Sequence, residues 1–182
     1  MISLGLDSGS SMTKAVLLED MKIIDTKMIP TSISPRKSLE ALYREIKKQH
    51  KEIDVIVTTG YGRNLLDQAD FKITEITCHA AGAFFMNPDC DTIIDIGGQD
   101  SKVITIDDLG CVESICQRTA AFAQKLAPAN PKVFFSGGLA QFDVIKQSLA
   151  NHLGVKEVAT DSLCQYTGAI GAAVFGIRKI KQ

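Results

Sequence analysis

One arrangement occurs twice in this 182-residue chain and restricts its architecture more than any other feature. Asp7-Ser8-Gly9-Ser10-Ser11-Met12-Thr13-Lys14 follows the apolar run 2–6 and precedes another at 15–18. Asp95-Ile96-Gly97-Gly98-Gln99-Asp100-Ser101-Lys102 follows 92–94 and precedes 103–106. Each reads as strand, tight turn, strand, with an aspartate ending the first strand and a lysine entering the second. Gly- and Ser-rich turns let backbone N–H groups approach phosphate oxygens without a Cβ in the way. A carboxylate beside each turn can hold Mg²⁺ through water, because that ion keeps most of its hydration shell. Two such hairpins suggest two related half-domains gripping one polyphosphate from opposite sides.

The rest of the pattern supports a duplicated α/β chain. Strands are expected over 2–7, 13–18 and 23–29, and Pro30 and Pro35 bracket a loop. Leu39, Leu42, Tyr43 and Ile46 recur at helical spacing, which predicts an amphipathic helix over 37–51 with a basic outer face. A short strand over 54–59 ends at Gly60-Tyr61-Gly62-Arg63, and a small-residue helix covers 78–86 before Pro88. After the second hairpin and a turn at 107–110, a helix is expected over 114–126, stopped by Pro128 and Pro131. A buried strand over 132–135 runs into Ser136-Gly137-Gly138, then a helix over 140–153 stops at Gly154. A short strand over 155–158 and a helix over 165–180 close the chain; Gly168, Ala169, Gly171, Ala172 and Ala173 give that helix a close-packing face. Strands followed by alternating strands and helices predict an α/β fold of two similar lobes with mixed sheets, residues 1–80 and 81–182.

Composition removes several function classes. Hydrophobic residues make up 45% and charged residues 23%, an ordinary globular balance. Lys plus Arg number 20 against 21 acidic residues, so no charge imbalance argues for nucleic acid or an anionic membrane as partner. No apolar run approaches the roughly 20 residues that span a bilayer. Met1 leads directly into a strand whose Asp7 would break a signal peptide's apolar region. The five cysteines, Cys78, Cys90, Cys111, Cys116 and Cys164, are scattered and odd in number, which reads as reduced thiols in the cytoplasm.

The motifs resemble the actin–hexokinase–Hsp70 nucleotide-binding superfamily, with its paired actin- or ribonuclease-H-like lobes around a nucleotide cleft. More closely, the chain resembles the ATP-dependent activators of 2-hydroxyacyl-CoA dehydratases and benzoyl-CoA reductases. The residues that carry the match are Leu4-Gly5-Leu6-Asp7-Ser8-Gly9-Ser10 with Thr13-Lys14, and Thr59-Gly60-Tyr61-Gly62-Arg63-Asn64. Glu75, Cys78-His79-Ala80, Ile94 to Lys102, Ser136-Gly137-Gly138-Leu139-Ala140-Gln141, Gln165-Tyr166 and Gly168 to Ala173 continue it in order. The resemblance implies ATP and ADP with Mg²⁺ as ligands and a dehydratase or related reductase as partner. In that family a long insertion after the second hairpin carries two cysteine segments, which hold one [4Fe–4S] cluster between two subunits. Here Gly110 leads almost at once to the 114–126 segment, so no cluster is expected by the family route.

The candidate residues follow from these motifs. Asp7, Gly9, Ser10, Ser11, Thr13 and Lys14 form the first phosphate hairpin, with Asp7 near Mg²⁺ or the attacking water. Asp95, Gly97, Gly98, Gln99 and Lys102 form the second, where Asp95 or Gln99 orients water and Asp95 is a second metal candidate. Phosphoryl transfer needs mostly positioning and charge neutralisation, so these groups suffice for slow hydrolysis. Ser136, Gly137, Gly138 and Gln141 are candidate adenosine contacts. Tyr61 and Arg63 read equally as a switch loop near phosphates or partner-facing element, or as exposed hairpin residues, and His79 reads as a satisfied interlobe hydrogen bond rather than a catalytic group. Cys111 and Cys116 in a symmetric dimer could supply four thiolates, the number a [4Fe–4S] cluster takes, although a buried structural role is the commoner fate of cysteine.

The expected function is an ATPase that hydrolyses Mg-ATP slowly and closes its lobes on the nucleotide. The rival from another class is a non-catalytic scaffold that pairs with a dehydratase or a full-length activator. A small-substrate kinase is a third reading, and no extra substrate lobe favours it. A homodimer fits the small-residue face of the last helix as well as internal packing does.

Overall fold

The computed structural model describes residues 1–116 and 128–181. These group into two compact units, Met1–Gly82 with Gly168–Gln182, and Ala83–Thr167.

The first unit opens with β1 (Ile2–Ser8), β2 (Met12–Glu19) and β3 (Lys22–Pro30), then α1 (Pro35–Gln49), β4 (Val55–Gly60) and β5 (Phe71–Lys72). The sheet order is β3-β2-β1-β4-β5, with β1 antiparallel to β2 and parallel to β4. Alternation along β1 sorts its side chains onto the two faces of the sheet. Leu4 and Leu6 lie with Leu17 and Ile56 under Leu39, Leu42 and Ile46 of α1, all buried. Truncating any of these α1 residues to alanine removes both transfer energy and packing, about 2–5 kcal/mol. On the core side of β4, Val55 and Val57 cluster with Cys78 and Ala172. Cys78 belongs to α2 (Glu75–Met86), which begins earlier than the small-residue run predicts.

The second unit repeats the plan. After β6 (Thr92–Ile96), β7 (Ser101–Ile106) and β8 (Val112–Cys116) comes β9 (Val133–Gly137), in the order β8-β7-β6-β9. Here β6 is antiparallel to β7 and parallel to β9, as β1 is to β2 and β4. A register shift falls between Leu17 and Leu18 in the first meander, and between Thr105 and Ile106 in the second. A 3-10 turn (Gly138–Gln141), α3 (Asp143–Leu153), a second 3-10 turn (Cys164–Tyr166) and α4 (Thr167–Ile180) complete the described chain. Ile94, Val103, Phe135, Leu149, Ala150 and Cys164 lie in the core of this unit.

Several expectations change. The segment from Ser114 continues as strand to Cys116, because β7 offers it an antiparallel ladder, and the Thr105 and Ser114 hydroxyls meet across it at 2.7 Å. The rest of the helix expected over 114–126 lies outside the described residues. The helix expected over 140–153 is interrupted at Phe142, which is extended (φ −99°, ψ 115°). Asp143 opens α3 instead, held 2.7 Å from Lys146, with its negative charge at the helix N-terminus. The strand expected over 155–158 shrinks to a single bridge between Phe134 and Ala159. Beyond it, Asp161 accepts the Leu163 amide at 2.7 Å and turns the chain away from β9.

The last helix groups with the first unit, whereas the sequence division placed it with the second half. Its small residues explain this. A Cβ at Gly5 on β1 would lie 2.5 Å from the Ala173 amide nitrogen, so helix and strand backbones touch directly.

Candidate functional site

The two hairpins match position by position. Asp7 pairs across the sheet with Lys14 on one side and Thr59 on the other; Asp95 pairs with Lys102 and Ser136. One residue further, Ser8 pairs with Gly60 and Ile96 with Gly137. Both glycines are left-handed, φ +83° and +94°, a region that a Cβ penalises. Both turns close alike, with the Gly9 amide donating to the Met12 carbonyl at 3.2 Å and Gly97 to Asp100 at 2.9 Å. Ser10, Ser11, Gly97, Gly98 and Gln99 sit exposed at the two tips. Each sheet thus ends in a carboxylate, a lysine, a hydroxyl and a left-handed glycine.

The side-chain chemistry of the two differs. In the second unit, Lys102 Nζ lies 3.4 Å from Asp95 Oδ2 and 3.1 Å from Asp100 Oδ1. The Ser136 hydroxyl donates to Asp95 Oδ1. Gly138 has open space beside it and Gln141 is exposed on the 3-10 turn. In the first unit, Lys14 Nζ is 3.8 Å from Asp7 Oδ2. Asp7 Oδ1, Ser8 Oγ and Thr59 Oγ1 are buried and make no hydrogen bond among the described residues. Leaving such a group unsatisfied costs about 1–3 kcal/mol. Folded chains keep these groups satisfied, by ordered water where no protein partner is present. An all-oxygen set around one carboxylate suits a hard, hydrated cation such as Mg²⁺.

The surrounding groups brace this end of the sheet. Thr31 donates its hydroxyl proton to the Gly9 carbonyl at 2.9 Å, so the Thr13 hydroxyl, also 2.9 Å away, donates to Thr31. Thr13 therefore ties the hairpin to the chain after β3. Beyond Gly60, Arg63 donates to the Gly60 carbonyl at 3.3 Å, and the Thr58 hydroxyl donates to the Arg63 carbonyl at 2.7 Å. Tyr61 projects from this turn, 85% exposed. The His79 Nδ1 donates to the Glu75 carbonyl at 2.9 Å, one turn back on α2.

Three of the four cysteines whose side chains are described are buried. Burial pushes the Cys78 thiol up to about 12 and the Cys90 thiol up to about 11, and it also raises Cys164. Cys164 donates its S–H to the Gly137 carbonyl at 3.7 Å. Cys111 is exposed, with its amide on Asp107 Oδ1 at 2.7 Å. Among the described residues, no cysteine joins a group of three or more metal-ligating side chains. Thiolate character and access govern alkylation. Native iodoacetamide treatment is therefore expected to modify Cys111 while Cys78, Cys90 and Cys164 react only in denaturant, as peptide mass spectrometry would read.

Residues 4–115 match the BadF/BadG/BcrA/BcrD ATPase family. The chain belongs to this family. It is 41% identical over 117 residues to the activator of lactoyl-CoA dehydratase of Anaerotignum propionicum, a match covering 62% of this chain and 45% of that protein. It is 26% identical over 255 aligned positions to the (R)-2-hydroxyglutaryl-CoA dehydratase activating ATPase of Acidaminococcus fermentans, covering 97% of each. That alignment is longer than the 182-residue chain, so the relative carries residues with no counterpart here. The fold is that of the activator of 2-hydroxyisocaproyl-CoA dehydratase from Clostridium difficile, whose structure holds ADPNP (TM-score 0.87, 24% identity, all of this chain and 96% of that one). This BadF/BcrA-type chain is thus an activator-like member with the mixed α/β, actin-like fold of the family.

Thr59 and Ser8 were not among the site residues read from sequence. A signal was present: Thr59-Gly60 and Ser136-Gly137 both place a hydroxyl and a glycine at the end of an apolar strand.

Proposed function

We propose that this chain binds ATP and ADP as their magnesium complexes through both hairpins, hydrolyses ATP slowly, and closes its two units around the nucleotide. The observation that carries this reading is the register match of Asp7, Lys14, Thr59 and Gly60 with Asp95, Lys102, Ser136 and Gly137. In this reading Gly9, Ser10 and Ser11 on one side, and Gly97 and Gly98 on the other, bring backbone amides to phosphate oxygens. Lys14 and Lys102 neutralise charge near them, and Gln99 at the exposed tip orients the attacking water. Gly137, Gly138 and Gln141 border the nucleoside. Magnesium, when bound, supplies charge neutralisation between the phosphates.

The names of the relatives support a 2-hydroxyacyl-CoA dehydratase, or a related reductase, as the partner that reads the nucleotide state. The matches to two activators cover less than half of each, so electron delivery by the family's cluster is not part of the proposal. Iron determined on anaerobically purified protein is expected to be absent; a stoichiometric iron–sulfur cluster would overturn this.

Phosphate release from Mg-ATP with no added acceptor tests the ATPase reading. Slow turnover that Asp7→Asn abolishes is expected. Tight binding without turnover would instead favour a regulatory scaffold, a reading the shorter length also supports. Turnover only with an added hydroxyl acceptor would identify a kinase.

A further inference from the structure

A cavity of about 610 Å³ lies wholly within the second unit, lined by residues of the segments 87–89, 130–133 and 154–159. That volume is ordinary for a small-molecule site. The cavity opens at Val133, the first residue of β9, whereas the candidate phosphate end of that strand is Gly137, the last. Four strand steps separate the two, about 13 Å. One wall is fixed by backbone bonds. The Asp91 amide donates to the Lys132 carbonyl at 3.1 Å, and the Lys132 amide donates to the Asp91 carboxylate at 3.0 Å. The Thr92 hydroxyl donates to the same carboxylate at 2.7 Å. Lys132 thus uses its backbone to clamp the strand pair, and its side chain is exposed at the cavity. Asn130, beside Pro131 on the same wall, is left-handed at φ +59°, a conformation that a non-glycine residue keeps only where its surroundings impose it.

The recognition chemistry is in the side chains. Lys132 and Lys156 supply two ammonium groups, Asp89 and Glu157 two carboxylates, and Asn87 and Asn130 two amides. Among the described residues, none of the four charged groups makes a salt bridge or a side-chain hydrogen bond. Opposite charges that border one cavity without pairing are held too far apart to meet, and a ligand that carries both signs can reach both. Equal numbers of the two signs disfavour a phosphate or a dicarboxylate, which a surplus of cationic donors would favour. Asn87 Oδ1 accepts the Asp89 amide at 3.3 Å, which leaves the Asn87 N–H groups as donors. Pro131 and Val155 add apolar surface. We infer that this cavity is a second ligand site, which takes a zwitterionic dipeptide: carboxylate at the lysines, ammonium at the acids, peptide group at the asparagines. A dipeptide is the smallest peptide that carries all three groups. The site is independent of the nucleotide reading, since it shares no residue with the hairpins.

The test is a titration of glycylglycine into the full chain, read by backbone amide chemical shifts, with succinate and putrescine as probes of a single sign. Saturable shifts over 130–133 and 154–159 are expected, with a millimolar Kd or tighter. Lys156→Gln and Glu157→Gln are each expected to weaken glycylglycine binding by about tenfold, the loss of one hydrogen bond to a charged group. Both side chains are exposed, so the variants keep the fold, and unmoved β6 and β9 amide shifts verify it. Saturating Mg-ADP is expected to leave glycylglycine bound. No saturable shifts, or binding of succinate or putrescine as tight as that of glycylglycine, would overturn the site. So would glycylglycine binding that both variants leave unchanged, or that Mg-ADP displaces. Protein that binds glycylglycine in this way but takes up no nucleotide would refute the proposed function and leave this site in place.

Discussion

Replacing Lys102 by methionine is expected to destabilise the protein by about 3–5 kcal/mol, more than the same change at the equivalent Lys14. Lys102 is 3% exposed and within 3.4 Å of Asp95, itself 5% exposed. Removing one member of a buried pair leaves a charge in a poorly solvating interior, and that penalty exceeds whatever the pair itself contributed. Lys14 is 18% exposed and 3.8 Å from Asp7, so less attraction is lost with it, although Asp7 itself is 4% exposed. Urea unfolding of both variants measures the contrast. Equal losses would mean that the hairpins are electrostatically alike and that the asymmetry between Asp7 and Asp95 has no energetic content.

The second large effect falls at Gly171, where α4 crosses α2 with no room for a methyl group. A Cβ there would penetrate the Cys78 carbonyl, a backbone atom held inside α2. Overpacking that side chains can absorb costs about 1–3 kcal/mol. Here two helix backbones must separate, and the Val55, Val57, Cys78 and Ala172 cluster separates with them. Gly171→Ala is therefore expected to lose at least about 3 kcal/mol, which in a chain of this size lowers the melting temperature by roughly 6–12 °C. Gly154→Ala provides the control. Its φ is +68°, but nothing lies within 4 Å, so only backbone strain is added. A Gly171→Ala protein as stable as Gly154→Ala would show that the close approach of α4 and α2 is not tight in solution.

Much of this could be read in the sequence because the hairpins are local. Strand, turn and strand lie within 20 residues of each other, and the Asp/Lys pair is set by the antiparallel register that a four-residue turn imposes. The helix α1 was legible for the same reason, since its apolar spacing needs only the adjacent sheet face. What was not legible depends on partners distant in the chain. Thr59 gains its meaning from parallel pairing with Asp7, 52 residues away, and nothing in the local pattern fixes that register. Ser114 to Cys116 read as helix because the competing strand β7 is invisible to a local window. The last helix read as part of the second half, although Gly5 and Gly171 bind it to β1 and α2.

The central claim, that the duplicated hairpins hold a magnesium nucleotide, is tested most directly by titrating ATP and ADP into the purified protein with Mg²⁺ in a calorimeter. Micromolar binding that disappears in Lys14→Ala, in a variant that still unfolds cooperatively, is the predicted result. Folded wild-type protein that takes up neither nucleotide would contradict it, and would leave the repeated Asp/Lys/hydroxyl/Gly ends as relics of a family activity this chain no longer performs.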